Sequence, residues 1–160
     1  MAKKIIADRF PINPDQIRKE TALHWWRLLA IYYIYIEDYS QAEVSVHKAL
    51  AANTGKTRTT DLEMNLRCIS LFLLIMQEGP DLAADIVLRH IRYAKRHGYN
   101  KGEGFMMLFL KAVYDLVSYP DFDKIHAQKV RERYITDLGG ERRLFLLFEK
   151  IYEKYFHYSQ

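Results

Sequence analysis

The chain reads as an all-α protein of about seven helices, and three observations predict that class. All seven glycines and all four prolines fall between apolar-periodic segments or in their first turns. Those residues cost roughly 1 and 3 kcal/mol in helix interiors, so the stretches that exclude them are helix candidates. Within the stretches apolar residues recur at helical spacing, and no comparable run alternates apolar and polar residues as a strand would. Finally, the breaks recur. Asp38 to Asp81 spans 43 residues and Asp81 to Asp121 spans 40, the spacing of stacked helical hairpins.

The predicted helices cover 14–37, 39–53, 60–77, 80–97, 102–118, 121–137 and 140–157. Asn13-Pro14 opens the first with a capping amide before a proline at the first helical position. The acidic break 37–42 separates it from the second. Thr60 with Glu63 three residues on reads as a capping box for the third. That helix is apolar nearly all round from Ile69 to Met76, so it should be central. Pro80-Asp81 and Pro120-Asp121 place acidic groups at the starts of the fourth and sixth. "YAKRH" then Gly98 closes the fourth with a cationic last turn and a glycine. "FMMLFL" (105–110) marks the fifth as core. The seventh carries Leu144, Leu147, Phe148, Ile151 and Tyr155 on one stripe, with Arg143, Glu149, Lys150, Glu153 and Lys154 opposite. A helix polar on one side suits the end of a stack. The expected organisation is one domain over 1–160, with hairpins about 14–53, 60–97 and 102–137 and a capping helix 140–157.

Within 23–50, "LHWWRLLAIYYIYIEDYSQAEVSVHKAL", Trp26, Leu29, Ala30 and Tyr33 stand at W-x2-L-A-x2-Y spacing, followed by Ala42, Val46 and Ala49. This segment, about 23–56, resembles a tetratricopeptide repeat. The small alanines would let two helices approach closely while Trp26, Leu29, Tyr33 and Val46 fill the space between. The later hairpins match the pattern poorly.

The resemblance implies a right-handed superhelix of stacked hairpins. It also implies a non-enzymatic scaffold whose first helices line a groove for a protein or peptide partner. The groove positions would be His24, Arg27, Ile31, Ile34 and Tyr35, and in the second hairpin Leu66, Ile69, Leu73 and Met76. The asparagine and lysine set that grips C-terminal carboxylates in chaperone-binding members is absent, with Ile31 at the asparagine position. That argues against a chaperone-tail adaptor.

Composition narrows the alternatives. The net charge of +4 is modest for a dedicated nucleic-acid binder. A lone cysteine, Cys68, excludes an internal disulfide framework and suits a reducing compartment. The N-terminal stretch has lysines but no long apolar core behind them, so no secretory signal is expected. The most apolar run, 68–76, is about half the length of a membrane span. A cytoplasmic protein without a membrane segment is the expectation, with self-association left open.

Candidate chemistry is sparse. The GKT within "NTGKTRTT" (53–60) lacks the earlier glycine and the preceding strand of a phosphate-binding loop. The six histidines are scattered and no ligand spacing accompanies them, so neither metal nor another cofactor is expected. Cys68 sits in the most apolar helix and reads as a buried small hydrophobe. The acidic pairs at helix starts read as caps, and no catalytic residue is assigned.

The strongest basic run is 87–101, where Arg89, Arg92 and Arg96 share one helix face. Together with Arg142 and Arg143 it forms the alternative reading, a nucleic-acid-associated or regulatory helical domain. Tyr93 and Tyr99 would then be available for stacking.

Overall fold

A computed structural model of the protein describes residues 18–53, 60–98, 104–118, 124–138 and 141–156. Among these the secondary structure is entirely helical: α1 (Lys19–Tyr35), α2 (Tyr39–Ala52), α3 (Thr60–Glu78), α4 (Ala83–Arg96), α5 (Phe105–Val117), α6 (Lys124–Leu138) and α7 (Arg142–Tyr155). The expected caps at Asn13-Pro14 and Pro120-Asp121 and the GKT loop of 54–59 lie outside the described residues, as does Tyr99. The chain divides into two units, residues 1–59 and 60–160.

In the first unit α1 and α2 form a closely packed antiparallel pair. Ala30, Ala42 and Ala49 expose no surface and Val46 almost none, as the small-residue pattern predicts. Trp26, Leu29 and Tyr33 are only half-buried. The turn between the helices is built from local bonds. Glu37 takes φ 61°, the Asp38 N–H donates to the Tyr33 carbonyl at 2.9 Å, and the Glu37 N–H to that of Ile34 at 3.1 Å. These two bonds close α1 as a Schellman motif, satisfying carbonyls that the helix end would leave open. Asp38 then caps α2, accepting from the Gln41 N–H at 3.2 Å.

In the second unit α3, α5 and α7 pack on one another and each supplies one wholly buried phenylalanine, Phe72, Phe109 and Phe148. Those are the largest fully buried side chains, among the described residues, of a core that also takes Leu66, Leu71, Ile75, Leu110, Leu116 and Ile151. Burying each large apolar side chain contributes about 1.5–3 kcal/mol before entropy is counted. α4 flanks α3 and α5, and α6 flanks α5 and α7. α4 approaches through small residues, burying Ala83, Val87 and Ala94 while its cations stay outside.

Two features depart from expectation. α3 touches α7, the first helix of this unit against its last, whereas an open stack of hairpins keeps those apart. The Tyr155 hydroxyl donates to the Ile75 carbonyl at 2.7 Å and the Lys154 ammonium to that of Met76. On the outer side, Arg131 of α6 forks onto Glu149 at 2.8–3.2 Å. So α7 closes a bundle, and its expected solvent face is partly tied back to neighbours. The other departure is the start of α4. Pro80 accepts from the Ala83 N–H at 3.0 Å, making a turn, and the helix begins three residues later than expected. Its cap position is Leu82, with no side-chain cap, so Asp81 does not serve. Glycines end the helices before and after: Gly79 and Gly98 take φ of 97° and 86°, a left-handed conformation that suits residues without Cβ.

Candidate functional site

The groove residues do not form one surface. Tyr35 is 81% exposed and Ile34 only 5%, because consecutive positions on a helix point about 100° apart. His24 is exposed and Arg27 and Ile31 are half-buried. The exposed stripe runs instead through His24, Leu28 and Tyr35, with Ile31 at its edge. Leu28, four residues from His24 and seven from Tyr35, lies on this stripe and is 47% exposed. In the second hairpin Leu66, Ile69, Leu73 and Met76 are buried, since α3 is covered by several neighbours; they offer no groove.

The basic face of α4 has more shape. A cavity of about 450 Å³ is lined by Arg67 of α3 and by Ile86, Arg89, His90, Arg92, Tyr93 and Arg96 of α4. Arg89, Arg92 and Arg96 were expected to share a face, and they do. They lie three and four residues apart on a helix that buries its opposite side. Among the described residues no carboxylate pairs with any of the three, although Arg96 Nε donates to the Arg92 carbonyl at 3.4 Å.

The fourth guanidinium, Arg67, comes from the neighbouring helix and was not foreseen. Its only signal in the sequence is Glu63 four residues earlier, an ordinary helix pair. Arg67 Nη2 and Nε donate to Glu63 Oε1 at 2.8 and 3.3 Å, and Glu63 is buried. The guanidinium lies 4.0 Å from the centre of the Tyr93 ring. The His97 ring stacks on Tyr93 with centroids also 4.0 Å apart. Two groups at that height cannot share one face of a ring, so both faces of Tyr93 are covered. Tyr93 is therefore not available to stack on a base.

His90 sits among these cations. Burial first, then the charges of Arg67 and Arg89, lower its pKa to about 4. Near neutral pH it is an uncharged hydrogen-bonding group in a cationic setting. The cavity therefore holds four guanidinium groups, one of them offset by Glu63, and a neutral imidazole. Its chemistry is that of an oxyanion receptor, because planar guanidinium groups match carboxylate and phosphate geometry.

Arg142 and Arg143 do not extend the cavity. Both are exposed at the start of α7, neither lines it, and Arg143 Nε lies 3.9 Å from Glu141 Oε1. Cys68 is wholly buried, and burial pushes its thiol up to about 12, leaving it un-ionised and unreactive. Among the described residues no three His, Cys, Asp or Glu side chains come together as a metal ion would need, and no helix is long and apolar enough to cross a membrane.

Comparison with protein-family models, with curated proteins and with solved structures gave no match.

Proposed function

We propose that this chain is a non-enzymatic binding module that recognises an acidic segment of a partner protein through the arginine-lined cavity between α3 and α4. The observation that carries this reading is the excess of guanidinium groups there: Arg67, Arg89, Arg92 and Arg96 face one cavity and, among the described residues, Glu63 alone pairs with any of them. Like charges gathered in a concavity raise the local potential and draw in an anion. Bidentate guanidinium bonds then give it orientation. A tetratricopeptide-like origin for the α1–α2 pair belongs to the same reading, supported by its buried alanines, and so does a cytoplasmic setting, supported by the lone thiol.

The second reading is nucleic acid. One observation favours it: Arg89, Arg92 and Arg96 follow a helix face about one turn apart, as phosphate contacts along a strand would need. The covered faces of Tyr93 weigh against it, since single strands are usually held by stacking as well as charge.

Fluorescence anisotropy with a labelled glutamate-rich peptide tests the reading. The peptide should bind, weaken as salt is added, and lose about tenfold or more in affinity in the Arg92→Ala, Arg96→Ala double variant. Arg142→Ala with Arg143→Ala should change little. Absence of peptide binding at low salt would end the proposal, and tight, steeply salt-dependent binding of a mixed-sequence oligonucleotide would favour the second reading.

A further inference from the structure

We infer that the cavity is shaped for a phosphate monoester, so that the partner segment carries a phosphorylated side chain. The inference rests on the reading of the chain as a module for acidic segments and narrows it to one chemical group.

Charge supplies the first argument. Four guanidinium groups face the cavity, and Glu63 offsets one of them, leaving three in surplus. A ligand carboxylate brings one negative charge, whereas a phosphate monoester brings about 1.5–2 and three acceptor oxygens. The monoester answers the surplus from a single point of attachment. A chain of carboxylates would have to crowd several side chains into the same space.

Geometry supplies the second. Arg67 is fixed before any ligand arrives, by two bonds to the buried Glu63 and by the Tyr93 ring beneath it. Those bonds engage two of its five N–H groups, so the rest remain for a ligand. Tyr93 is itself held from the other side by His97, whose Nδ1 lies 2.9 Å from the Tyr93 carbonyl oxygen. A guanidinium ordered in advance loses little freedom on binding. Across the cavity Arg89 and Arg92 have no carboxylate partner among the described residues and can close on the oxygens. One prepositioned arginine and several adaptable ones suit a compact tetrahedral group.

The third argument separates a monoester from the diester of a nucleic acid. A diester phosphate carries one charge, and its strand spreads such charges along a line. Here Arg67 stands on a different helix from the other three, so the four converge on a concave space, and the ring that would receive a base is closed on both faces.

The test uses the full chain and two synthetic peptides, glutamate-flanked and identical except that one carries phosphoserine in place of serine. Phenyl phosphate and acetate serve as small competitors. The phosphorylated peptide should bind about tenfold or more tightly than its partner, and phenyl phosphate should displace it where equal acetate does not. On titration with phenyl phosphate, the His90 ring signals in NMR should move and those of His126 should not. The Arg92→Ala, Arg96→Ala variant replaces exposed residues only, so its fold should stand, and it should bind the two peptides alike. If both peptides bind the unaltered protein equally, the monoester inference fails while the wider reading survives. If neither binds, both fail. Displacement of the phosphopeptide by a single-stranded oligonucleotide at comparable concentration would overturn the monoester in favour of the diester.

Discussion

Glu37 is held at φ 61° in the turn between α1 and α2, where a Cβ crowds the backbone and glycine would not. The Schellman bonds of Asp38 and Glu37 require that conformation, so the cost is accepted locally. A β-branched residue there should be worse. Glu37→Val is expected to unfold at lower denaturant than Glu37→Gly, by about 1 kcal/mol or more, as chemical denaturation of the two variants would show. Equal stability would mean the turn is not left-handed. His90 makes a pH-dependent contribution of its own. Burial, Arg67 and Arg89 lower its pKa from the usual 6.5 to about 4. In the unfolded chain the imidazole takes up its proton below about 6.5, while the folded one resists until about 4. Between those values the unfolded state binds more protons, so this group's contribution is intact above 6.5 and is lost as pH falls toward 4. The denaturation midpoint of the unaltered chain should therefore decline more steeply across that window than that of His90→Gln. Parallel slopes would show that the ring is not shielded.

At the scale of helices, close approach and tethering do different jobs. α1 and α2 meet through Ala30, Ala42 and Ala49, none of which exposes any surface. A larger side chain there has no room, and overpacking usually costs about 1–3 kcal/mol. Ala42→Leu should lower the thermal midpoint accordingly, whereas Ala51→Leu, at an exposed position of the same helix, should not; a neutral Ala42→Leu would show that the helices are not in close contact. Trp26, by contrast, is only half-buried and carries the Lys48 ammonium 4.2 Å from its ring centre, so its role is as much surface as core. In the second unit the tethers are polar. The Tyr134 hydroxyl donates to Asp115 at 2.8 Å between α6 and α5, while Arg131 and Glu149 join α6 to α7. Much of this level is legible beforehand. The apolar periods place all seven helices, and "CISLFLLIM" and "FMMLFL" mark α3 and α5 as central. Helix starts are less legible, as Pro80 and Asp81 demonstrate: a proline followed by an acid suits a first turn, yet here it makes the turn that precedes one.

For the molecule, the difference between a stack of hairpins and a closed bundle lies in which apolar faces find one another. α3 and α7 are some 65 residues apart in sequence, and neither carries a local mark of its partner. The candidate site divides in the same way. Arg89, Arg92 and Arg96 are readable as a single face because helical geometry alone aligns them. Arg67 looks like one half of a routine pair with Glu63 until α4 packs beside α3. The second-hairpin groove positions show a related limit: a helix face is a groove only if nothing covers it, and Leu66, Ile69, Leu73 and Met76 are covered.

Helix class, the alanine seam and the arginine row follow from residues within a turn or two of each other, where sterics, capping and the 3.6-residue period act directly. The closing of the second unit and the meeting of Arg67 with the α4 arginines follow from burial of apolar surface. That force is strong but carries no direction, so its outcome is set by how the helices fill space together.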